Sequence, residues 1–266
     1  MVDTNQGPIP DDSNQDLPPP PPSPPLNWSR LKALIIERKI DFALWLTRLL
    51  TIMFAAGYIL PLFGSPVQYY YKAFMASAAT SALRLHQRLP NFSFSRAFFQ
   101  QMVLEDSFHY LFCALIFLYA TPMTLALAPS VLFAILHFAS FSLSLLDALG
   151  RNSAWIARVF ISLIEYKSVN ILRMAAGSEI CIMWFLVCYA IAGRHSLISP
   201  FLYFRFLTFR YSSRRNHYTR TMFMEFRILL ERMAMNDKCP SFIGNGVRTG
   251  ISLISKLAPP NAPASN

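Results

Sequence analysis

From residue 42 to residue 199 long apolar runs alternate with short polar connections. The first run, FALWLTRLLTIMFAAGYILPLF at 42–63, has about 22 residues, enough for a helix to cross a hydrocarbon core of about 30 Å. Runs at 108–127 (FHYLFCALIFLYATPMTLAL), 130–149 (SVLFAILHFASFSLSLLDAL) and 174–192 (MAAGSEICIMWFLVCYAIA) are also long enough to span. A weaker candidate at 67–85 is a tyrosine cluster followed by small residues, among them Ala73, Ala76, Ser77, Ser81 and Ala82. Small residues let helix backbones approach closely in a bundle, so this segment either spans against its neighbours or lies half-buried as an amphipathic helix. The pattern predicts an all-α, multi-pass integral membrane protein of helical hairpins with interfacial amphipathic helices.

The connections divide by charge. Basic residues gather at 30–48, 84–96, 151–173 and 205–238, whereas the links near 64, 121–129 and 194 carry almost none. The positive-inside rule then places the four basic regions in the cytosol. This predicts three hairpins with both ends of the chain cytosolic. The 121–129 link contains Pro122 and Pro129 and reads as a tight turn. The third hairpin would return through about 197–209, either fully or as a shallow re-entrant segment. Five complete spans with the two ends on opposite sides is the alternative.

Before and after the apolar region the pattern changes. Residues 1–29 are proline-rich and acidic, with LPPPPPSPP at 17–25. This predicts a solvated polyproline II tail with no apolar signal-peptide core. Residues 28–41 read as a short basic amphipathic stretch at the membrane surface. The C-terminal region, 200–258, begins with PFLYFRFLTFRYSSRRNHYTRTMFMEFR, in which rings and arginines alternate. Rings at the apolar boundary and guanidinium groups on phosphate suit the lipid headgroup level; stacking on RNA would use the same residues, but the preceding spans disfavour it. Arg205, Arg210, Tyr211, Arg214, Arg215, Arg220, Phe223, Phe226 and Arg227 are the expected membrane-surface or partner contacts. An amphipathic helix is predicted over 219–235, a second over 247–258, and a disordered tail over 259–266.

Composition agrees with lipid as the solvent. Hydrophobic residues make up 54% and charged residues 14%, against about 25% charged in soluble domains. The net charge of +10 favours an anionic lipid surface or an acidic partner. Cys113, Cys181, Cys188 and Cys239 have no spacing of a zinc site or disulfide framework.

Catalytic patterns are missing: there is no HExxH, CxxC pair, P-loop or GxSxG. Glu105 and His109, with Asp106 beside them, could share one helical face, but such a group at a helix mouth more often makes interfacial hydrogen bonds. Glu179 and His137 lie deepest in apolar runs. Ionisable groups there need partners inside the bundle, and Arg173 and Arg48 are the candidates for Glu179. Arg48 itself is placed to snorkel to the interface. The sequence calls for no catalytic residue, cofactor, metal, nucleic acid or small-molecule substrate.

The segments SALRLHQRLP (81–90), SRAF (95–98), LEDSFHYL (104–111) and RFLTFRYSSRRN (205–216) resemble the transmembrane protein 33 family. That family includes insect Krüppel homologue 2 and the yeast pore-membrane proteins. The resemblance covers about 38–258 and leaves the proline-rich end outside. It implies a non-enzymatic protein of the endoplasmic reticulum and nuclear envelope that organises tubular membrane and nuclear pores. By the same resemblance its partners are reticulon-type proteins and nucleoporins. A regulatory subunit of an ion channel, affecting calcium release and the stress response, is the alternative. That reading would use Glu179 and the small-residue face of 73–82.

Overall fold

The apolar runs fold as helices, interrupted where glycine, proline or polar clusters intervene. A computed structural model describes residues 26–61, 64–90, 93–151, 154–213, 217–235 and 241–257, with side chains at all but 241–243 and 253–257. Among the described residues there are eleven helices and no strand. They are α1 (Trp28–Glu37), α2 (Lys39–Ile59), α3 (Pro66–Arg88), α4 (Arg96–Leu104), α5 (Asp106–Tyr119) and α6 (Thr124–Ala148). After these come α7 (Trp155–Glu165), α8 (Ser168–Ile191), α9 (Ile198–Ser212), α10 (Tyr218–Ala234) and α11 (Ser241–Leu257). The proline-rich segment before residue 26, Arg214, Arg215, Cys239 and the final tail lie outside the described residues.

Local chemistry sets several ends. Asn27 caps α1, its Oδ1 accepting from the Arg30 amide at 3.0 Å, and Ser95 caps α4 through the Phe98 amide. Helices α6 and α8 both close on a left-handed glycine. Gly150 has φ +75° and Gly193 φ +69°, and the following amides bond back to Leu146 and Tyr189 at 2.9 and 2.8 Å. A residue with Cβ is strained in that conformation, which is why glycine suits the position.

Three helices, α2, α6 and α8, are long and apolar enough to cross a membrane, and a bent pair, α4 with α5, would make a fourth. Their outer surfaces are apolar: Leu46, Met53 and Ile59 on α2 and Trp184, Phe185 and Ile191 on α8 are exposed. The 108–127 run, expected as one span, is divided: α5 stops at Tyr119 and only Ala120–Met123 links it to α6. Pro129, expected in the link, lies inside α6. It lies close to the helix start, where a missing N–H removes a single ladder bond. The expected return segment is α9, a 15-residue helix, about 22 Å long at 1.5 Å per residue. Helix α11 starts at Ser241, six residues before the expected second amphipathic segment.

Helix α3 sits against α2 and α5, and α6 closes the other side of α2 and meets α8. The α2–α3 approach is close: a Cβ on Gly57 would lie 2.9 Å from the Tyr69 ring. Thr80 of α3 donates to Thr47 of α2 at 2.8 Å, and Trp45 of α2 donates to Ser142 of α6 at 2.8 Å. The core runs through α3, α5, α8 and α9, with Phe74, Phe117, Ile182, Leu186, Tyr203 and Phe206 buried. Rings meet at 5.3 Å (Phe74–Phe117) and 5.7 Å (Phe117–Tyr203).

The bundle has two chemically distinct ends. The charge-poor links meet at one: Tyr58 bonds Thr124, Tyr71 bonds the Ala120 carbonyl, and Thr121 bonds His195. At the other end Arg30 faces Asp147, Arg88 faces Glu105 and Arg173 faces Glu225. The three low-charge links therefore share one end, as the hairpin reading requires.

Candidate functional site

Helix α9 presents Tyr203, Phe206, Leu207 and Arg210 on one stripe at i, i+3, i+4 and i+7, and all four are buried. Arg210 thus enters the bundle on an apolar face. Its guanidinium Nε donates to Glu179 Oε2 of α8 at 3.3 Å, and Nη1 to Asp106 Oδ1 of α5 at 3.3 Å. Tyr110 completes Glu179 by donating to Oε1 at 2.6 Å, and its ring lies 4.7 Å beneath the Arg210 guanidinium. Ser213 donates to Asp106 at 2.7 Å, and Tyr203 to the Glu179 backbone carbonyl at 2.9 Å. Glu179 is 0% and Arg210 1% exposed. A buried carboxylate with both oxygens bonded and a cation over an aromatic face is the arrangement that makes burial of charge tolerable.

Three expectations are corrected by this geometry. Arg210, expected at the lipid surface, is carried inside by its i+7 position on an apolar stripe. The partner of Glu179 is Arg210 and not Arg173 or Arg48. Arg173 instead holds Glu225 of α10 at 2.6 Å, and Arg48 lines an adjoining cavity. Tyr203 and Phe206, expected at the bilayer boundary, are core residues for the same reason as Arg210.

The other surface candidates divide. Arg205 is exposed beside the Phe201 ring. Arg227 is exposed and pairs with Glu231 at 2.8 Å. Tyr211 and Phe223 meet ring to ring at 5.6 Å, and Arg220 donates to the Ser213 carbonyl. Those three side chains dock α10 onto α9. Phe226 is half-buried. Arg214 and Arg215 belong to the undescribed positions.

Of Glu105, Asp106 and His109 only the last two meet, with His109 Nδ1 3.7 Å from Asp106 Oδ1. An 82° bend separates α4 from α5, with Glu105 at the break turned to Arg88. His109 Nε2 bonds the Val103 carbonyl at 2.7 Å, which only accepts, so this nitrogen carries the proton.

A half-open cavity of about 180 Å³, with several charged side chains in a largely apolar lining, adjoins the network. Arg48 of α2, Arg84 and Arg88 of α3, Asp106 of α5, His137 of α6 and Arg210 of α9 line it. His137 thus faces this cavity, half-buried. Helix α3 adds Ser77, Thr80 and Ser81 to Arg84 and Arg88 on one face. That helical spacing is readable in the sequence, but small residues so placed serve close packing equally well.

At the charge-poor end His195, nearly buried, shares a 2.6 Å hydrogen bond with Thr121 and stacks on Tyr189. Burial holds its imidazole below the ordinary histidine value. The folded state therefore favours the neutral ring. Its contribution is fully present above about pH 6.5 and is lost as pH falls below that value. Replacing His195 with Gln should reduce the loss of thermal stability between about pH 7 and pH 5; an unchanged pH slope in detergent would refute it.

The helices and this buried polar interior define an all-α, multi-pass membrane protein. A model of the family described as Transmembrane protein 33/Nucleoporin POM33 matches residues 23–260, and the chain belongs to that family. It is 45% identical over 227 residues to mouse "Transmembrane protein 33", covering 85% of this chain and 92% of the relative. It is 44% identical to Drosophila melanogaster "Krueppel homolog 2", covering 85% and 82%. A Caenorhabditis elegans homologue of the former is 38% identical, covering 88% and 87%. No solved structure matches.

Proposed function

We propose that the protein is a membrane-organising scaffold of the endoplasmic reticulum and nuclear envelope. It shapes tubular membrane and contributes to nuclear pore organisation, with anionic lipid, reticulon-type proteins and nucleoporins as partners. The observation that carries the reading is a set of uncovered apolar side chains on short helices at the basic end. On α7, Trp155, Ile156 and Val159 are exposed, beside the exposed Arg158. On α10, Ile228, Leu229 and Met233 are exposed, interleaved with Arg227 and Arg232. Helices of this composition lie in the headgroup plane and add area to one leaflet, more strongly on anionic lipid. Added area on one side bends the bilayer towards that side.

The channel-regulator reading has less support: Glu179 is saturated inside the chain and Ala73, Ala76 and Ser81 are buried, which leaves Ala79 and Ala82 as the exposed part of that small-residue face.

The test is reconstitution of the full chain into vesicles containing anionic lipid, followed by electron microscopy. Narrow tubules are expected. The Trp155→Glu/Val159→Glu variant, at exposed positions, should restore spherical vesicles while keeping helix content. Equal tubulation by that variant, or none by the wild type, would remove the curvature mechanism.

A further inference from the structure

The cavity between α2, α3, α5, α6 and α9 carries a charge imbalance that the described residues do not resolve. Four arginines line it, Arg48, Arg84, Arg88 and Arg210, against one carboxylate, Asp106. Asp106 is already engaged by Arg210 and Ser213. Arg88 is paired with Glu105, and Asp41, the acid at the start of α2, is paired with Arg38 at 2.8 Å. That leaves Arg48 and Arg84, which make no ion pair or side-chain hydrogen bond among the described residues. Arg48 is only 6% exposed. Arg210, buried on the same wall, keeps its Nη2 without a hydrogen-bond partner.

A guanidinium withdrawn from water without a counter-charge is strongly unfavourable. Arg48 is such a group, and the half-buried Arg84 beside it adds a second positive charge. Asp41, already held by Arg38, is the acid that acts on both, so among the described residues the cavity is left short of negative charge and suits an anion. The space can hold one: about 180 Å³ is an order of magnitude above the roughly 10–15 Å³ that one water needs. Neutral donors surround it as well. The Ser77, Ser81 and Ser130 hydroxyls line the cavity and make no hydrogen bond among the described residues. Arginines from different helices plus hydroxyls approach from several directions. A tetrahedral oxyanion with three free oxygens can use all of these donors, whereas a carboxylate has two oxygens in one plane.

We infer that this cavity binds a phosphate group, with Arg48 and Arg84 as its main charge contacts and Ser77 and Ser81 as hydroxyl donors. The group is either the headgroup of an anionic phospholipid or a soluble phosphate. The inference does not depend on whether the protein bends membranes.

The full chain in phosphatidylcholine nanodiscs provides the test, with two probes. One is radiolabelled inorganic phosphate; the other is fluorescent phosphatidic acid introduced as a minor lipid. Saturable binding of at least one probe is expected, weakened about tenfold or more by Arg84→Gln and by Arg48→Gln, the scale of losing a charged hydrogen bond. Arg194→Gln, exposed in the link at the charge-poor end, should bind as the wild type does. Binding of phosphatidic acid alone assigns the lipid source; binding of inorganic phosphate assigns the soluble one. If Arg48→Gln fails to fold, Arg84→Gln and Ser77→Leu still decide the matter, the latter filling the cavity with every arginine in place. Absence of saturable binding of both probes, or undiminished binding by the folded variants, would overturn the site.

Discussion

Arg210→Met should destabilise the protein by about 3–5 kcal/mol, because it leaves Glu179 charged, buried and short of a partner. The side chain removed is fully buried, and its replacement is apolar and of similar length, so packing alone does not account for such a loss. Glu179→Gln should cost less, since Arg210 can still donate to the amide oxygen, the Tyr110 hydroxyl can turn to accept from the amide nitrogen, and Asp106 still balances the guanidinium. The two changes together should be less harmful than the sum of the singles, because the uncompensated charge of either single variant is gone. Chemical unfolding in detergent micelles with a double-mutant cycle measures this coupling. Simple additivity would mean that the pair holds little of the fold together.

Phe117→Ala should cost about 3 kcal/mol, the lower part of the range for a buried aromatic. Phe117 is 0% exposed and its ring touches Phe74 on α3 and Tyr203 on α9. In a membrane the apolar transfer contribution shrinks, since lipid tails are as apolar as the core. What remains is the cavity left among three helices and the dispersion attraction that its lining atoms forfeit. Phe117→Leu should recover more than half of the loss. Thermal unfolding of the three proteins in one detergent checks the order, and an alanine variant as stable as the wild type would contradict the packing account.

How far the fold is legible in the sequence depends on depth in the bundle. Outward-facing apolar runs such as 42–63 and 174–192 announce themselves by composition, because lipid demands it along the whole helix. The link after α5 is readable from Pro122, but its end is not: the run stays apolar on both sides, and Pro129, which looks like part of the link, already lies inside α6. Arg210 is easily misplaced because an arginine next to rings fits the headgroup level as well as it fits a buried stripe. Only the i, i+3, i+4, i+7 spacing with Tyr203, Phe206 and Leu207 distinguishes them. Glu179 is recognisable as a group that needs a partner, but sequence distance hides which one. Two of the segments that carry the family resemblance, LEDSFHYL and RFLTFRYSSRRN, meet at this pair, through Asp106, Tyr110 and Arg210. Neither segment alone discloses that. The cavity stays hidden because its lining comes from five helices, each contributing residues with an ordinary local explanation.

The Glu179–Arg210 pair also orders events during biosynthesis. Arg210 lies 31 residues after Glu179, so α8 emerges from the ribosome before its counter-charge exists. At ordinary elongation rates that interval is about 2–6 s. During it Tyr110, made earlier, is the available donor to Glu179, while Asp106 nearby adds a second negative charge. The nascent bundle must therefore hold α8 loosely until α9 arrives. A chain cut between α8 and α9 should be recognised by quality control as an unfinished membrane protein, even with all three of its long apolar helices complete.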